Sequence, residues 1–217
     1  MTLIAPLFDR KSLLLELEWG LTFNNITLNQ QTIEMLLDYL SLIQKWNRVH
    51  NLTAVRDPEN MVSTHLLDSL SVLPHLPVGQ MLDVGTGAGL PGIPLAAANS
   101  NLQVTLIESS QKKAAFLRQA IAELKLPNAK VVCQKVEGWL PPTRFTCIIA
   151  RAYAEISTLI ASSKHLLADD GIFAAMKGRY PEAEIKAIPH EFVVKQVIEL
   201  KVPGLNAERH LVMIGRA

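Results

Sequence analysis

Three features of the sequence predict an α/β fold: a mostly parallel seven-stranded sheet closed by a C-terminal antiparallel hairpin and preceded by an N-terminal helical extension. The first is an alternation that begins near Gln80. Short apolar runs of β-type composition at 80–84 (QMLDV), 103–108 (QVTLIE), 130–134 (KVVCQ), 145–150 (FTCIIA) and 172–177 (IFAAMK) are interleaved with helical segments at 91–98, 111–124 and 154–167. Apolar strands separated by helices build a parallel sheet covered on both faces. The second is the tail, where 191–202 (EFVVKQVIELKV) and 209–216 (RHLVMIGR) are joined by PGLNAE. That link is too short for a parallel crossover, so the two runs form an antiparallel pair.

The third is the helical texture before the alternation. Residues 29–48 set Gln31, Glu34, Asp38, Ser41, Lys45 and Arg48 at steps of three and four, a single polar stripe on an otherwise apolar helix. Another helix follows, with Asp57 as N-cap, Pro58 at its first position and Glu59 in its first turn; Pro74 and Pro77 end it. Residues 1–76 therefore read as a helical extension and 77–217 as the core. The segment 74–79 joins a cap to that core rather than two independent domains.

Composition narrows the partners. With 49% hydrophobic residues in 217, the chain has ample material for a buried core. Its 21 Lys and Arg against 20 Asp and Glu leave a net charge of +1, so any polyanion must meet a local basic patch. Cys133 and Cys147 both lie in apolar runs that read as buried strands, without metal-ligand spacing. Core thiols in a reducing compartment are the expectation. The N-terminal run has charges after its first apolar patch and no basic lead, unlike a secretory leader. No uncharged apolar run approaches the roughly 20 residues of a membrane span. Together these predict a cytoplasmic protein without a membrane partner.

The densest chemical signal is MLDVGTGAGLPGIPLA at 81–96, a glycine-rich turn between an apolar strand and a helix opening near Pro91. Strand, glycine turn and helix in that order cradle a nucleotide-like ligand at the carboxyl edge of an open α/β sheet. The spacing Gly85-x-Gly87-x-Gly89 departs from the dinucleotide fingerprint, which would put its third glycine at Leu90, and no Lys-Ser or Lys-Thr follows to make a P-loop. Asp83 stands just before the turn, where a carboxylate repels a pyrophosphate and favours an ammonium or sulfonium. S-adenosylmethionine carries both cations. Glu108, at the end of the next strand, is suited to accept two ribose hydroxyls, although dinucleotide enzymes use such an acid too. Val136 and Glu137, after the third strand, are candidates to flank an adenine.

In a methyltransferase of this plan the end of the fourth strand faces the transferred methyl, and here it reads IIARAYA with Arg151 at the turn. The Asn/Asp-Pro-Pro-aromatic signature of exocyclic-amine methylation is missing. Cys147 lies within the strand rather than at its end, so the thiol addition required at cytosine C5 is not offered. An acceptor that is already nucleophilic, such as guanine N7, needs only to be held in line with methyl and sulfur. Arg151 donors toward guanine O6, a phosphate or the cofactor carboxylate all suit such a site, and a strand-end salt bridge is the structural alternative.

The segments WNRVHNLTAVRD, HLLDSL, LDVGTGAGLPGIPLA, LIESSQKKAAFL, IIARAYA, AMKG and ERHLVMI, in this order over nearly the whole chain, resemble the RsmG (glucose-inhibited division protein B) family. The resemblance implies a monomeric, Rossmann-like class I S-adenosylmethionine-dependent methyltransferase. It implies transfer to guanine N7 in the 530 loop of 16S ribosomal RNA, at position 527, with the RNA or the small subunit as partner and no metal. Carried onto this sequence, the family's cofactor contacts fall on Gly85, Leu90, Val136, Glu137 and Arg151. RNA contacts are expected at Lys177, Arg209 and His210 on the rim of the sheet, and at Arg48 and Arg56 in the extension. His50 and His65 read as capping or core residues. Two other classes stay open: a small-molecule methyltransferase with the extension as lid, and a non-catalytic RNA-binding assembly factor, for which a degenerate glycine loop or a lost Asp83 is expected. Neither loss is present.

Overall fold

A computed structural model describes residues 9–217; the first eight residues, and with them the start of the run read as lacking a leader, lie outside the described residues. Asp9 caps helix α1 (Arg10–Phe23) by accepting from Lys11 N at 3.2 Å, and Leu13, Leu17 and Leu21, four apart, bury one face. Helix α2 (Gln30–His50) is capped by Asn29 and stops at Asn51, which turns left-handed. Its polar stripe faces outward, and Glu34 and Asp38 pair with Arg10 of α1. Asp57 caps α3 (Pro58–Met61) as expected, but the helix then widens into a π-helical stretch (Val62–Leu67) before α4 (Asp68–Leu70). Such wide turns cost regular hydrogen bonding and concentrate at functional positions.

Seven strands follow: β1 (Gly79–Val84), β2 (Leu102–Ile107), β3 (Ala129–Val132), β4 (Phe145–Arg151), β5 (Leu167–Lys177), β6 (Phe192–Glu199) and β7 (His210–Arg216). They form one sheet in the order β3-β2-β1-β4-β5-β7-β6. The first five run parallel, and β7 lies antiparallel to both β5 and β6. Between the strands lie α5 (Gly92–Ala98), α6 (Gln111–Glu123), α7 (Ile156–Ser163) and α8 (Glu182–Lys186). Alternate residues point to opposite faces. Met81, Leu106, Ile149 and Met176 join α1, α2, α5 and α6 in one apolar cluster, whereas Leu82, Val84, Ile148 and Ala150 pack with α7 in the other. The extension thus shares a continuous core with one face of the sheet.

Several details differ from the sequence reading. Helix α1 was not assigned in that reading. The connection from β3 to β4, for which no helix is predicted, contains a single 3-10 turn, Val136–Gly138. Helix α7 starts at Ile156, so 152–155 remain a loop beside the site, and β5 begins at Leu167. Cys133 corrects the expectation of two buried strand thiols: β3 is a short edge strand that ends at Val132, leaving Cys133 beyond it and half-buried. Cys147 is buried in β4 and, as expected, both thiols are free. Burial pushes the Cys147 thiol up to about 12, far from a reactive thiolate. No helix among the described residues is long and apolar enough to cross a membrane.

Candidate active site

Strands β1 and β4 are neighbours whose chains continue to opposite halves of the sheet, and their carboxyl ends make the crevice where open α/β sheets bind ligands. A cavity of about 550 Å³ lies there. Gly85, Thr86, Gly87, Ala88 and Leu90 supply one wall, and Arg151, Ala152, Lys177, Arg209 and His210 another. Leu52, Thr53 and Asp68 bring the extension to the same space. A second, smaller cleft of about 210 Å³ is lined by Gly85, Glu108, Val136 and Glu137. Tyr153 also lines it, and its ring packs so closely on Gly85 that a Cβ there would lie 3.0 Å from Cε2.

The two acids singled out before and after the loop both shape it. Glu108 is buried; its Oε2 accepts from Gly87 N at 3.1 Å and its Oε1 from Ser110 N at 2.8 Å. Each carboxylate oxygen retains a lone pair for a ligand in the small cleft. Asp83 departs from its expected placement. Its side chain points to the face covered by α5, where Oδ2 accepts from Thr86 Oγ1 at 2.5 Å and Gly92 N at 2.9 Å. It is fully buried beneath the loop, outside the residues that line the cavity, and Oδ1 has no partner among the described residues. Gly89 is corrected too: its missing Cβ faces Ile93 and Leu117, so it serves helix packing rather than the cavity wall.

Burial is the main reason that the Asp83 carboxyl is pushed up to about 6; the bonds from Thr86 and Gly92 and the charge of Arg151 oppose it. An unfolded aspartate titrates near 3.9, so the folded chain holds this proton more tightly. The associated stability is fully present below about pH 4 and is lost as pH rises through about 6, on the order of 3 kcal/mol. Asp83→Asn is therefore expected to gain melting temperature relative to the parent between pH 4 and pH 7. A difference that stays constant across that range counts against titration of Asp83. The comparison isolates Asp83 from His65, which burial holds down at about 4 and which acts in the opposite sense.

At the end of β4, Arg151 Nη1 donates to Thr64 O at 2.8 Å and to Asp68 Oδ2 at 2.9 Å. Arg209, just before β7, donates from Nε to Asp68 Oδ1 at 3.0 Å and from Nη1 to Glu208 O at 2.8 Å. Lys177 is partly spent within the protein, on Ala154 O at 2.8 Å and Glu184 Oε2 at 2.6 Å. His210 Nδ1 donates to Gly178 O at 2.7 Å. Lys113, in the first turn of α6, adds a cation that sequence reasoning missed. Lys113, Arg151, Lys177 and Arg209 against one lining carboxylate, Asp68, make this a local basic patch on a near-neutral chain.

The structure thus brings Gly85, Gly87, Leu90, Arg151, Lys177, Arg209 and His210 to one cavity, and Glu108, Val136 and Glu137 to the adjoining cleft. Arg48 and Arg56 are exposed in the extension and line neither. His50 stacks near Trp46, with centroids 4.9 Å apart, and His65 is buried against Thr53. Asp68 and Tyr153 were not singled out; an acid inside the apolar run HLLDSLSVL was the signal for the first.

Comparison with known proteins gives the family and the fold. The profile of the family described as GidB, rRNA small subunit methyltransferase G, matches residues 32–212. The chain is similar to the ribosomal RNA small subunit methyltransferase G of Methylobacillus flagellatus, 51% identical over 92% of this chain and 96% of that one. It is 50% identical to the protein of that name from Chromobacterium violaceum, over 91% and 95% of the two chains. Among solved structures it is similar in fold to the glycopeptide N-methyltransferase MtfA complexed with S-adenosyl-L-homocysteine (TM-score 0.59, 13% identity, 70% of this chain and 87% of that one). It also resembles the O-methyltransferase TomG from Streptomyces achromogenes in complex with SAM (TM-score 0.55, 14% identity, 92% and 96%).

Proposed function

The chain belongs to the rRNA small subunit methyltransferase G family, and on that premise we propose that it methylates N7 of guanine 527 in the 530 loop of 16S ribosomal RNA. The observation that carries this reading is that a single cavity joins the glycine loop of a class I methyltransferase fold to a cluster of cations. S-adenosylmethionine, when bound, supplies an electrophilic methyl group on a sulfonium.

The residues fit that cofactor. Gly85 borders both cavities, so an elongated ligand laid across it has its adenosine end by Glu108, Val136 and Glu137 and its amino-acid end by Leu90 and Arg151. Asp83, with Oδ1 unpartnered beneath the loop, adds negative potential under the cationic end. Toward the RNA, the unpaired edges of Arg151 and Arg209, with Lys113 and His210, suit phosphate oxygens or guanine O6.

No general base is needed for an N7 lone pair, and Asp68, the only carboxylate among the described lining residues, is held by two guanidinium groups. Catalysis then consists of alignment. The partner is 16S ribosomal RNA or the small subunit, met by a monomer. Nucleoside mass spectrometry of 16S RNA from cells with and without the protein is the test. A 7-methylguanosine present only with the protein is expected, and an unchanged amount in its absence removes the claim.

A further inference from the structure

We infer that Asp68 is a positioning residue that sets Arg151 and Arg209 as one jaw for the RNA acceptor, so that a carboxylate of the N-terminal extension aligns the substrate through two arginines of the core. The inference rests on the function proposed above. Its basis is a convergence of three parts of the chain. Arg151 ends β4 and Arg209 precedes β7, two strands separated by β5, yet both guanidinium groups meet the two oxygens of a single carboxylate from α4. The Asp68 side chain is 3% exposed, whereas those of Arg151 and Arg209 are 21% and 24% exposed. The carboxylate is the most enclosed member of the cluster, and the two arginines expose more of their side chains to the cavity they share.

The π-helical stretch fixes that carboxylate. Asp68 N bonds back to Ser63 O across the wide turn, and Arg151 also grips Thr64 O within it. A guanidinium has five N–H donors in a rigid fork. Among the described residues, Arg151 uses Nη1 and Arg209 uses Nε and Nη1, which leaves Arg151 Nε and Nη2 and Arg209 Nη2 for a ligand. Without the shared anion, two like charges at this spacing repel and their free edges diverge. One buried carboxylate therefore determines both the separation and the aim of two cations that meet guanine O6 or phosphate oxygens of the RNA.

The test compares wild type, Asp68→Asn, Asp68→Glu, Arg209→Ala and the Asp68→Asn/Arg209→Ala double variant, using unmethylated small subunits and S-adenosylhomocysteine. For Asp68→Asn, kcat/KM for the subunit is expected to fall at least about tenfold, mostly through KM, with S-adenosylhomocysteine affinity within about threefold of wild type. In the Arg209→Ala background the same change is expected to cost less than about threefold, because the two residues act as a unit. Asp68→Glu keeps the charge but shifts both guanidinium groups; a raised KM at unchanged melting temperature is expected.

Equal losses in both backgrounds, or a wild-type KM for Asp68→Glu, overturn the inference. So does a joint fall of melting temperature and S-adenosylhomocysteine affinity at unchanged KM for the subunit, which marks a structural residue. A wild type that transfers no methyl group to the subunit removes the proposed function and this inference with it. An active wild type matched by Asp68→Asn removes the inference alone.

Discussion

Gly85→Val is expected to abolish S-adenosylhomocysteine binding, and with it methyl transfer, in a chain that still melts as a cooperative unit. Gly85 has φ of +65°, a region that β-branched residues essentially avoid. Its Cβ would also enter the ring of Tyr153 at the junction of the two ligand cavities. The residue is only half-buried, so loop and ring can give way toward solvent, at the expense of the ligand's path rather than of the core. Gly89→Val in the same motif should fail differently. There φ is +89° and the added Cβ would lie 2.5 Å from Ile93 Cδ1 and 2.9 Å from Leu117 Cδ2, inside the packed layer between α5 and α6. Overpacking of that kind costs about 1–3 kcal/mol, and the left-handed backbone adds about 1–2 kcal/mol. Calorimetric titration alongside thermal melting separates the two outcomes. Binding by Gly85→Val within about tenfold of wild type, a difference of 1.4 kcal/mol, refutes its assignment to the cofactor path.

The contrast shows which information the sequence carries. Glycine spacing located the loop, and the short apolar runs located all seven strands, because both are local patterns tied to backbone geometry. What each loop residue faces was less legible. Asp83 was read as presented to a cation, yet strand alternation turns it toward α5, where Thr86 and Gly92 take its oxygen. Arg151 and Arg209 were identified as cations at strand ends, but their common partner lies at Asp68, in a helix whose π turn has no marked sequence signature. Arg48 and Arg56, expected on charge alone to meet RNA from the extension, line neither cavity, because charge does not report distance. Helix α1 was legible in principle, since Leu13, Leu17 and Leu21 recur every four residues.

The reach of the extension into the glycine loop leads to the second large effect, at Tyr39. This side chain of α2 is fully buried, and its hydroxyl donates to Ala88 O, between Gly87 and Gly89, at 2.5 Å. Burial holds the phenol well above its ordinary value, so the hydroxyl stays a donor at neutral pH. Tyr39→Ala removes a large buried aromatic and is expected to cost about 3–5 kcal/mol. Tyr39→Phe preserves nearly all of that packing and strands the Ala88 carbonyl, for about 1–3 kcal/mol. The two variants divide the residue's roles. If the hydroxyl holds the shape of the loop, Tyr39→Phe weakens S-adenosylhomocysteine binding by more than its small loss of melting temperature accounts for, whereas a pure packing role leaves that affinity unchanged. The loop's curvature is then set from two directions, by Asp83 beneath it and by Tyr39 from the extension. A chain stripped of residues 1–76 should lose the loop's geometry along with the apolar cover of one sheet face.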